Sequence, residues 1–224
     1  MLPDPDSRPA AIPGQIVVLN GAPRSGKSSI VTAIQELSPE LWLNLGVDTF
    51  VRSATPQRFR PGIGLRPGGE RPDLESLVCR LWAAMYDSIA AHSRLGLNVA
   101  VDVGHHDDYS RPLGILHDSA VHLRGLPVLF VGVRCPVDVI MERRNAGQPG
   151  REGGYVTGSP ADPIPAPVLR WQEAVHVPGL YDLEVDTSKL KPEECARLIL
   201  DRLATGPPGS AFESIAKEKA AQRE

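Results

Sequence analysis

The sequence is short of three features, each of which would indicate a particular class of protein. It has three cysteines, Cys79, Cys135 and Cys195, an odd number without metal-ligand spacing. We therefore expect reduced thiols in a cytoplasmic protein rather than a disulfide framework. It has no apolar run long enough to span a membrane, and its first residues do not resemble a secretory signal. It also has no basic excess, because 24 Lys and Arg stand against 27 Asp and Glu, which argues against a nucleic-acid-binding protein.

Glycine and proline, by contrast, are abundant: 21 and 22 of the 224 residues. Thr55–Pro72 contains eight of them and Gly147–Pro167 contains ten. Long loops inside a compact domain are usually functional lids or disordered segments. We therefore predict a first lid segment at residues 51–72 and a second lid segment at residues 146–167.

The two ends of the chain differ in composition from the middle. Residues 1–14 hold four prolines and no apolar period, so we expect a disordered arm. Residues 205–224 are predicted to form a polar tail, either a loose helix or disordered. With 42% hydrophobic residues in the whole chain, residues 15–204 suffice for one domain with its own core.

Between these ends, short apolar runs alternate with amphipathic stretches. We predict strands at Gln15–Asn20, Leu41–Val47, Leu97–Val103, Val128–Val133 and Tyr181–Val185. We predict helices at Lys27–Leu37, Leu74–Arg94, Val137–Arg144 and Pro192–Leu203. This alternation predicts an α/β fold in which a parallel sheet of about five strands carries helices on both faces.

The stretch from Gly21 to Ser28 has the pattern G-x-x-x-x-G-K-[ST] between a predicted strand and a predicted helix, the context of a phosphate-binding P-loop. Its glycines let backbone N–H groups turn toward phosphate oxygens, and the helix N-terminus adds positive charge. Lys27 is predicted to contact the β- and γ-phosphates of ATP, and Ser28 to bind Mg²⁺. The predicted nucleotide contacts are Gly21, Ala22, Pro23, Arg24, Ser25, Gly26, Lys27, Ser28 and Ser29.

Two aspartates end predicted strands, Asp48 after the second and Asp102 near the end of the third. Ligands of open α/β sheets bind at the carboxyl ends of the strands, so both carboxylates are expected near the phosphates. One can accept the proton of an acceptor hydroxyl and the other can hold Mg²⁺, and we assign the metal to Asp102. The alternative for each is a structural role in a turn.

Further polar residues follow the third and fourth predicted strands. His105 and His106 are too few for a transition-metal site, so substrate contact and a solvated loop stay open. Arg143 and Arg144 precede the second lid segment, and Arg151 lies within it. Arginines there can neutralise a transferring phosphoryl group, and the alternative is a solvated helix end.

The rest of the chain favours a kinase among P-loop proteins. A GTPase would carry an N-K-x-D sequence, which is absent, and a motor ATPase would need a longer chain. A short domain with two lids fits a small-molecule kinase, which must exclude water during phosphoryl transfer.

Four passages in order resemble the chloramphenicol 3-O-phosphotransferases and their relatives, and the resemblance runs from Ile16 to Ala204. The passages are VVLNGAPRSGKSSIV, ELWLNLGVDTF, VLFVGVRCPVDVIMERR and VHVPGLYDLEVDTSKLKPEECARLI. The family has an Arg-Glu…Arg-Gly-Asp-Arg lid pattern. Here the stretch from Arg143 to Arg151 is RRNAGQPGR, which lacks the middle arginine.

The resemblance implies an ATP-dependent kinase of a small hydroxylated molecule, with the nucleotide loop at Gly21, Gly26, Lys27 and Ser28. It implies that Asp48 is the general base on the acceptor hydroxyl. It also implies that Arg143 and Arg151 are lid arginines that contact ATP.

The acceptor is left open by the sequence. The first lid segment holds five arginines (Arg52, Arg58, Arg60, Arg66 and Arg71) against one acid, Glu70, which is either solvated charge or a site for an anionic acceptor. A nucleotide or sugar-nucleotide kinase is therefore an alternative, and a non-catalytic nucleotide-binding regulatory protein is another. A homo-oligomer, and a role in antibiotic resistance or in metabolism, stay open as well.

Overall fold

The computed structural model describes residues 12–147 and 155–218. In these ranges five strands form one sheet: β1 (Ile16–Asn20), β2 (Trp42–Asn44), β3 (Asn98–Val103), β4 (Val128–Arg134) and β5 (Leu183–Asp186). The strand order is β2-β3-β1-β4-β5, and every neighbouring pair is parallel. The predicted α/β fold with a parallel sheet is confirmed, and β1 lies at its centre.

Helices cover both faces of this sheet. They are α1 (Lys27–Leu37), α2 (Val47–Thr49), α3 (Glu75–Arg94), α4 (Ile115–His122), α5 (Val137–Asn145), α6 (Ala166–Ala174), α7 (Pro192–Thr205) and α8 (Ala211–Glu218). Successive side chains of a strand point to opposite faces. Ile16 and Val18 of β1 therefore pack into a core with α3, α4 and α8, whereas Val17 and Leu19 pack into a second core with α1 and α7. Burial on both faces explains the continuous apolar run of β1.

The second strand is shorter than the predicted Leu41–Val47. It pairs with β3 only as far as Asn44, opposite Ala100. There the Asn44 side chain accepts a hydrogen bond from the Gly46 amide at 3.0 Å, a local turn that competes with strand pairing. The next residues form the helical turn α2, so Asp48 lies in a helix rather than at a strand end.

The C-terminal region contains a packed helix where the sequence predicts a polar tail. Phe212 and Ile215 of α8 are buried in the core beneath β4. The Asp182 carboxylate accepts hydrogen bonds from the Ser210 and Ala211 amides at 2.6 and 3.0 Å, which caps the start of this helix. The buried residues of α8, which are Ala211, Phe212, Ile215 and Ala216, lie three to five residues apart or side by side and form one face of the helix.

The two lid segments contain more regular structure than the sequence predicts. The first folds into short helical turns, and its Ile63 and Leu65 are buried against α3. The second ends in α6, whose first turn contains Pro167, because proline is tolerated in the first turn of a helix. No helix in the described ranges is both long and apolar enough to cross a membrane.

Candidate active site

The P-loop connects the central strand β1 to α1 at the carboxyl edge of the sheet. A Cβ added to Gly21 would lie 2.5 Å from the Val133 carbonyl oxygen, so glycine is required by a close backbone approach. Gly26 has φ of 96°, the left-handed conformation that glycine adopts without strain. The Lys27 ammonium donates to the Gly21 and Ala22 carbonyls at 2.7 and 2.9 Å, so it is held over the loop.

Ser28 and Asp102 meet directly below this loop. The Ser28 hydroxyl donates to Oδ2 of Asp102 at 2.5 Å. The pair forms because Asp102 on β3 lies opposite Leu19 on β1, immediately before the P-loop. A serine hydroxyl and a carboxylate are the oxygen ligands that Mg²⁺ takes from proteins when substrate phosphates complete its shell. The donor set therefore fits the predicted metal.

A cleft of about 780 Å³ opens at this edge of the sheet. Lys27, Ser28, Asp48, Asp102 and Arg143 all line it. Asp48 reaches the cleft from α2 and is half-buried. The structure thus brings together the predicted base, the predicted metal ligands and the P-loop lysine. Arg151 lies outside the described residues.

The other predicted loop contacts divide into two groups. Gly21, Pro23, Arg24, Gly26 and Ser29 also line the cleft. Ala22 and Ser25, also in the loop, are buried instead. The Ser25 carbonyl accepts a hydrogen bond from the Thr187 hydroxyl at 2.7 Å.

Arg143 and Arg144 are neighbours in α5 with different surroundings. Arg143 donates to the Thr187 carbonyl at 2.7 Å, to the Thr187 hydroxyl at 3.1 Å and to the Arg24 carbonyl at 3.3 Å. It therefore ties α5 to the P-loop and to the end of β5. Arg144 is buried, lines the cleft and donates to the Val156 carbonyl at 3.3 Å. Burial lowers the pKa of Arg144.

Outside the P-loop, much of the cleft wall is apolar. Its lining residues there include Val47, Val51, Pro61, Ile63, Val168 and Trp171, with Arg66 and Glu70 also present. Arg66 and Glu70 are exposed at its rim. This part of the wall can accommodate a molecule with an apolar body.

The other described arginines of the first lid segment are engaged outside the cleft. Arg58 stacks on Phe59, with 4.6 Å between the guanidinium carbon and the ring centroid. Arg60 donates to the Thr55 carbonyl at 2.9 Å. Arg71 pairs with Asp73 at 2.8 Å. Among Arg58, Arg60, Arg66 and Arg71, only Arg66 lines the cleft.

The two histidines after β3 are buried rather than solvated. Nε2 of His105 lies 2.7 Å from the Tyr86 hydroxyl, and burial lowers the pKa of His105 to about 3. Nε2 of His106 lies 3.0 Å from the Leu65 carbonyl, which fixes the first lid segment against this loop. Both rings are buried against aromatic side chains, Trp82 for His105 and Tyr109 for His106, so the expectation of a solvated loop is wrong.

Two residues of the site have no role predicted from the sequence, Trp171 and Thr187. Trp171 lies on α6, a helix that begins at the end of the second lid segment, and forms part of the cleft wall. Thr187 follows β5 directly, and the rule that ligands bind beyond the carboxyl ends of strands could have indicated it.

The chain matches known proteins along most of its length. Residues 14–204 match the family model described as chloramphenicol phosphotransferase-like protein. Over 217 residues the chain is 28% identical to Rv2636 and MT2714 from two strains of Mycobacterium tuberculosis, which are named for an inferred O-phosphotransferase activity. The alignment covers 91% of this chain and 88% of each relative.

Solved structures of kinases share the fold. A sugar kinase from Janibacter sp. HTCC2649 has a TM-score of 0.57 at 18% identity, covering 87% of this chain and 97% of its own. The APS kinase CysC of Mycobacterium tuberculosis, in complex with AMPPNP and APS, has a TM-score of 0.57 at 17% identity, covering 86% and 99%. At these identities the likeness establishes a P-loop kinase fold, and it establishes nothing about the acceptor.

Proposed function

The chain belongs to the chloramphenicol phosphotransferase-like family, and from that premise we propose that it transfers the γ-phosphoryl group of ATP to a hydroxyl of a small molecule. The observation that carries this proposal is the single cleft that Lys27, Ser28, Asp48 and Asp102 line together. Such a set contains each group that phosphoryl transfer needs from the protein: a phosphate cradle, a metal site and a base.

In the proposed reaction the acceptor oxygen attacks the γ-phosphorus, and the bond from that phosphorus to the bridging oxygen of ADP breaks. Asp48 takes the hydroxyl proton, and ADP leaves with the electron pair of the broken bond. When ATP binds, the Lys27 ammonium would exchange its hydrogen bonds to the Gly21 and Ala22 carbonyls for contacts with the β- and γ-phosphates. Ser28 and Asp102 would hold Mg²⁺, which neutralises phosphate charge when bound.

The apolar part of the cleft wall supports an uncharged acceptor with an apolar body. Val51, Ile63 and Trp171 offer such a molecule contact area but no partners for several hydroxyls or phosphates. The alternative of a nucleotide or sugar-nucleotide acceptor relied on the arginines of the first lid segment. Arg58, Arg60 and Arg71 are engaged outside the cleft, and Arg66 at its rim is accompanied by Glu70, so the geometry favours the small-molecule acceptor.

An acceptor screen tests the proposal. Wild-type protein with Mg²⁺ and ATP is incubated with neutral aromatic alcohols, polyols and phosphorylated sugars, and mass spectrometry follows the added phosphoryl group. Asp48→Asn is expected to retain ATP binding and lose about 100- to 10,000-fold in turnover. Asp201→Asn, at an exposed position of α7, is the control. Unchanged turnover in Asp48→Asn would remove Asp48 from the mechanism.

A further inference from the structure

The loop that follows β3, residues 104–110, is in contact with the first lid segment. The Leu65 carbonyl of that lid lies 3.0 Å from Nε2 of His106, and the Gly68 amide donates to the Asp108 carbonyl at 2.7 Å. Both contacts use backbone atoms of the lid, so they fix the path of its chain across the loop.

The α6 helix docks on the same loop through two adjacent residues. The Trp171 ring packs against Gly104, where an added Cβ would lie 3.1 Å from its Cζ3 atom, and meets the His106 ring edge to face at 5.1 Å between centroids. Beside it, Arg170 donates from Nε and Nη2 to the two carboxylate oxygens of Asp108, at 2.5 and 3.0 Å. Paired hydrogen bonds between a guanidinium and a carboxylate fix direction as well as distance, so the pair orients α6 on the loop.

The Arg170 guanidinium also lies directly on the first lid segment. A Cβ added to Gly68 would lie 2.9 Å from its Nη1 and 3.1 Å from its Cζ, and the φ of 113° at this position is one that glycine adopts without strain. Asp108 therefore holds the first lid segment through its carbonyl and α6 through its carboxylate. We call Gly68, Asp108 and Arg170 the lid junction.

The lid junction joins segments that are far apart in the sequence. Arg170 and Asp108 are 62 positions apart, whereas the pair of Arg71 and Asp73 lies within one turn. The Arg170 and Asp108 side chains are 52% and 32% exposed, and ion pairs exposed to that degree contribute little to folding stability. The consequence of this pair is therefore expected in the relative position of the two lids rather than in the stability of the fold.

We propose that Asp108 and Arg170 are positioning residues that hold the two lids together beside the cleft and thereby set its affinity for the acceptor. The proposal rests on the proposed function, in which the acceptor contacts the apolar part of the cleft wall. Trp171 of that wall is the neighbour of Arg170, and Ile63 of the same wall belongs to the lid that contains Gly68. These side chains contact the body of the acceptor in ground state and transition state alike, so loosening them raises KM without changing kcat.

Kinetics on a double-mutant cycle test the proposal. Asp108→Asn, Arg170→Met and the double variant are compared with wild type, using ATP, Mg²⁺ and the neutral aromatic alcohol that wild type phosphorylates fastest. Each single variant should raise the KM of the alcohol about two- to fivefold, with kcat and the KM of ATP unchanged. The double variant should be no worse than either single one, because both remove one shared interaction. Glu184→Gln, which breaks an exposed pair with Arg134 between β4 and β5, is the matched control and should behave as wild type.

Hydrogen exchange tests the lid junction without an acceptor. In Arg170→Met with bound Mg²⁺–AMPPNP, the Gly68 amide should exchange faster than in wild type, although the substitution does not alter its own bond to the Asp108 carbonyl. Amides of the central strand β1 should exchange as in wild type, and the unfolding temperature should not change.

Three results would each overturn the proposal: an unchanged KM in the single variants, a double variant whose KM rises by the product of the two single rises, or wild-type exchange at Gly68. So would a lowered unfolding temperature with a wild-type KM, which is the result expected of a purely structural pair. If wild type phosphorylates no alcohol, the proposed function fails and the acceptor role fails with it, whereas exchange at Gly68 still shows whether the pair joins the lids.

Discussion

The Ser28 hydroxyl donates to the Asp102 carboxylate at 2.5 Å, which joins the first turn of α1 to the end of β3. The other oxygen of that carboxylate, Oδ1, occupies the space beside Gly46, where an added Cβ would lie only 1.7 Å away. Asp102 is therefore fixed from two sides, by the residue after the P-loop lysine and by the turn that leads into α2. This geometry connects the proposed metal site to the helix that carries Asp48.

Replacing Asp102 by Asn should remove the metal-dependent part of nucleotide binding. The amide retains the shape of the side chain and a hydrogen-bond acceptor for Ser28, but it loses the charge that Mg²⁺ prefers. We expect the affinity for AMPPNP without Mg²⁺ to stay within about threefold of wild type, and the gain on adding Mg²⁺ to fall by about tenfold or more. Calorimetric titrations with and without the metal measure both numbers. An undiminished gain in Asp102→Asn would exclude a metal-binding role.

Gly46→Ala should disturb the same site without touching any polar group. The new methyl group cannot coexist with Oδ1 of Asp102, so the carboxylate must rotate or the turn before α2 must shift. We expect the Mg²⁺ dependence of turnover to weaken, with a loss of about 1–3 kcal/mol in folding stability. Gly125→Ala is the control, since its Cβ would meet nothing within 4 Å although its φ of 76° makes alanine strained. Equal metal dependence in the two variants would contradict the coupling.

The predictable part of this site is the part set by sheet topology. Asp102 lies near Ser28 because parallel strands bring their carboxyl ends to one edge, and β3 and β1 are neighbours. Asp48 lines the cleft although the end of β2 was misplaced, since the turn at Asn44 shortens the strand without moving it away from that edge.

The remaining part depends on contacts between distant residues. His105 is buried because its amide donates to Asn20, 85 positions earlier, and its ring meets Tyr86. Nothing in the local sequence distinguishes that histidine from a solvated one. The difference between Arg143 and Arg144 likewise depends on where Thr187 and Tyr155 lie around α5.

Phe212→Ala should destabilise the domain, since α8 is part of the core. The Phe212 ring packs 4.8 Å from Phe130 and 6.3 Å from Tyr86, measured between ring centroids. Truncating a buried phenylalanine to alanine typically costs about 3–5 kcal/mol. Urea unfolding measures the change. Lys217→Ala, on the exposed face of the same helix, should stay within about 0.5 kcal/mol of wild type. A loss below 1 kcal/mol for Phe212→Ala would mean that the helix does not pack as described.

The buried His105 should make the protein less stable in acid. Burial lowers the pKa of its ring to about 3, whereas an exposed histidine titrates near 6.5. Between these values the unfolded chain binds a proton that the folded protein does not, so the free energy of unfolding decreases as the pH falls. The contribution is complete above about pH 6.5, and its loss amounts to about 1.4 kcal/mol per pH unit at most.

His105→Gln tests this contribution, since glutamine does not titrate and can still reach the Tyr86 hydroxyl. The difference in unfolding free energy between variant and wild type at pH 7.5 gives the cost of repacking alone. At pH 4.5 the same difference should shift in favour of the variant, by up to about 2.7 kcal/mol over the two units below the unfolded pKa. Some acid sensitivity should persist in the variant, because burial also lowers the pKa of His106, and that of His176 to about 4. If the difference were the same at both pH values, His105 would titrate alike in the folded and unfolded chains, and its ring could not be buried beside Tyr86.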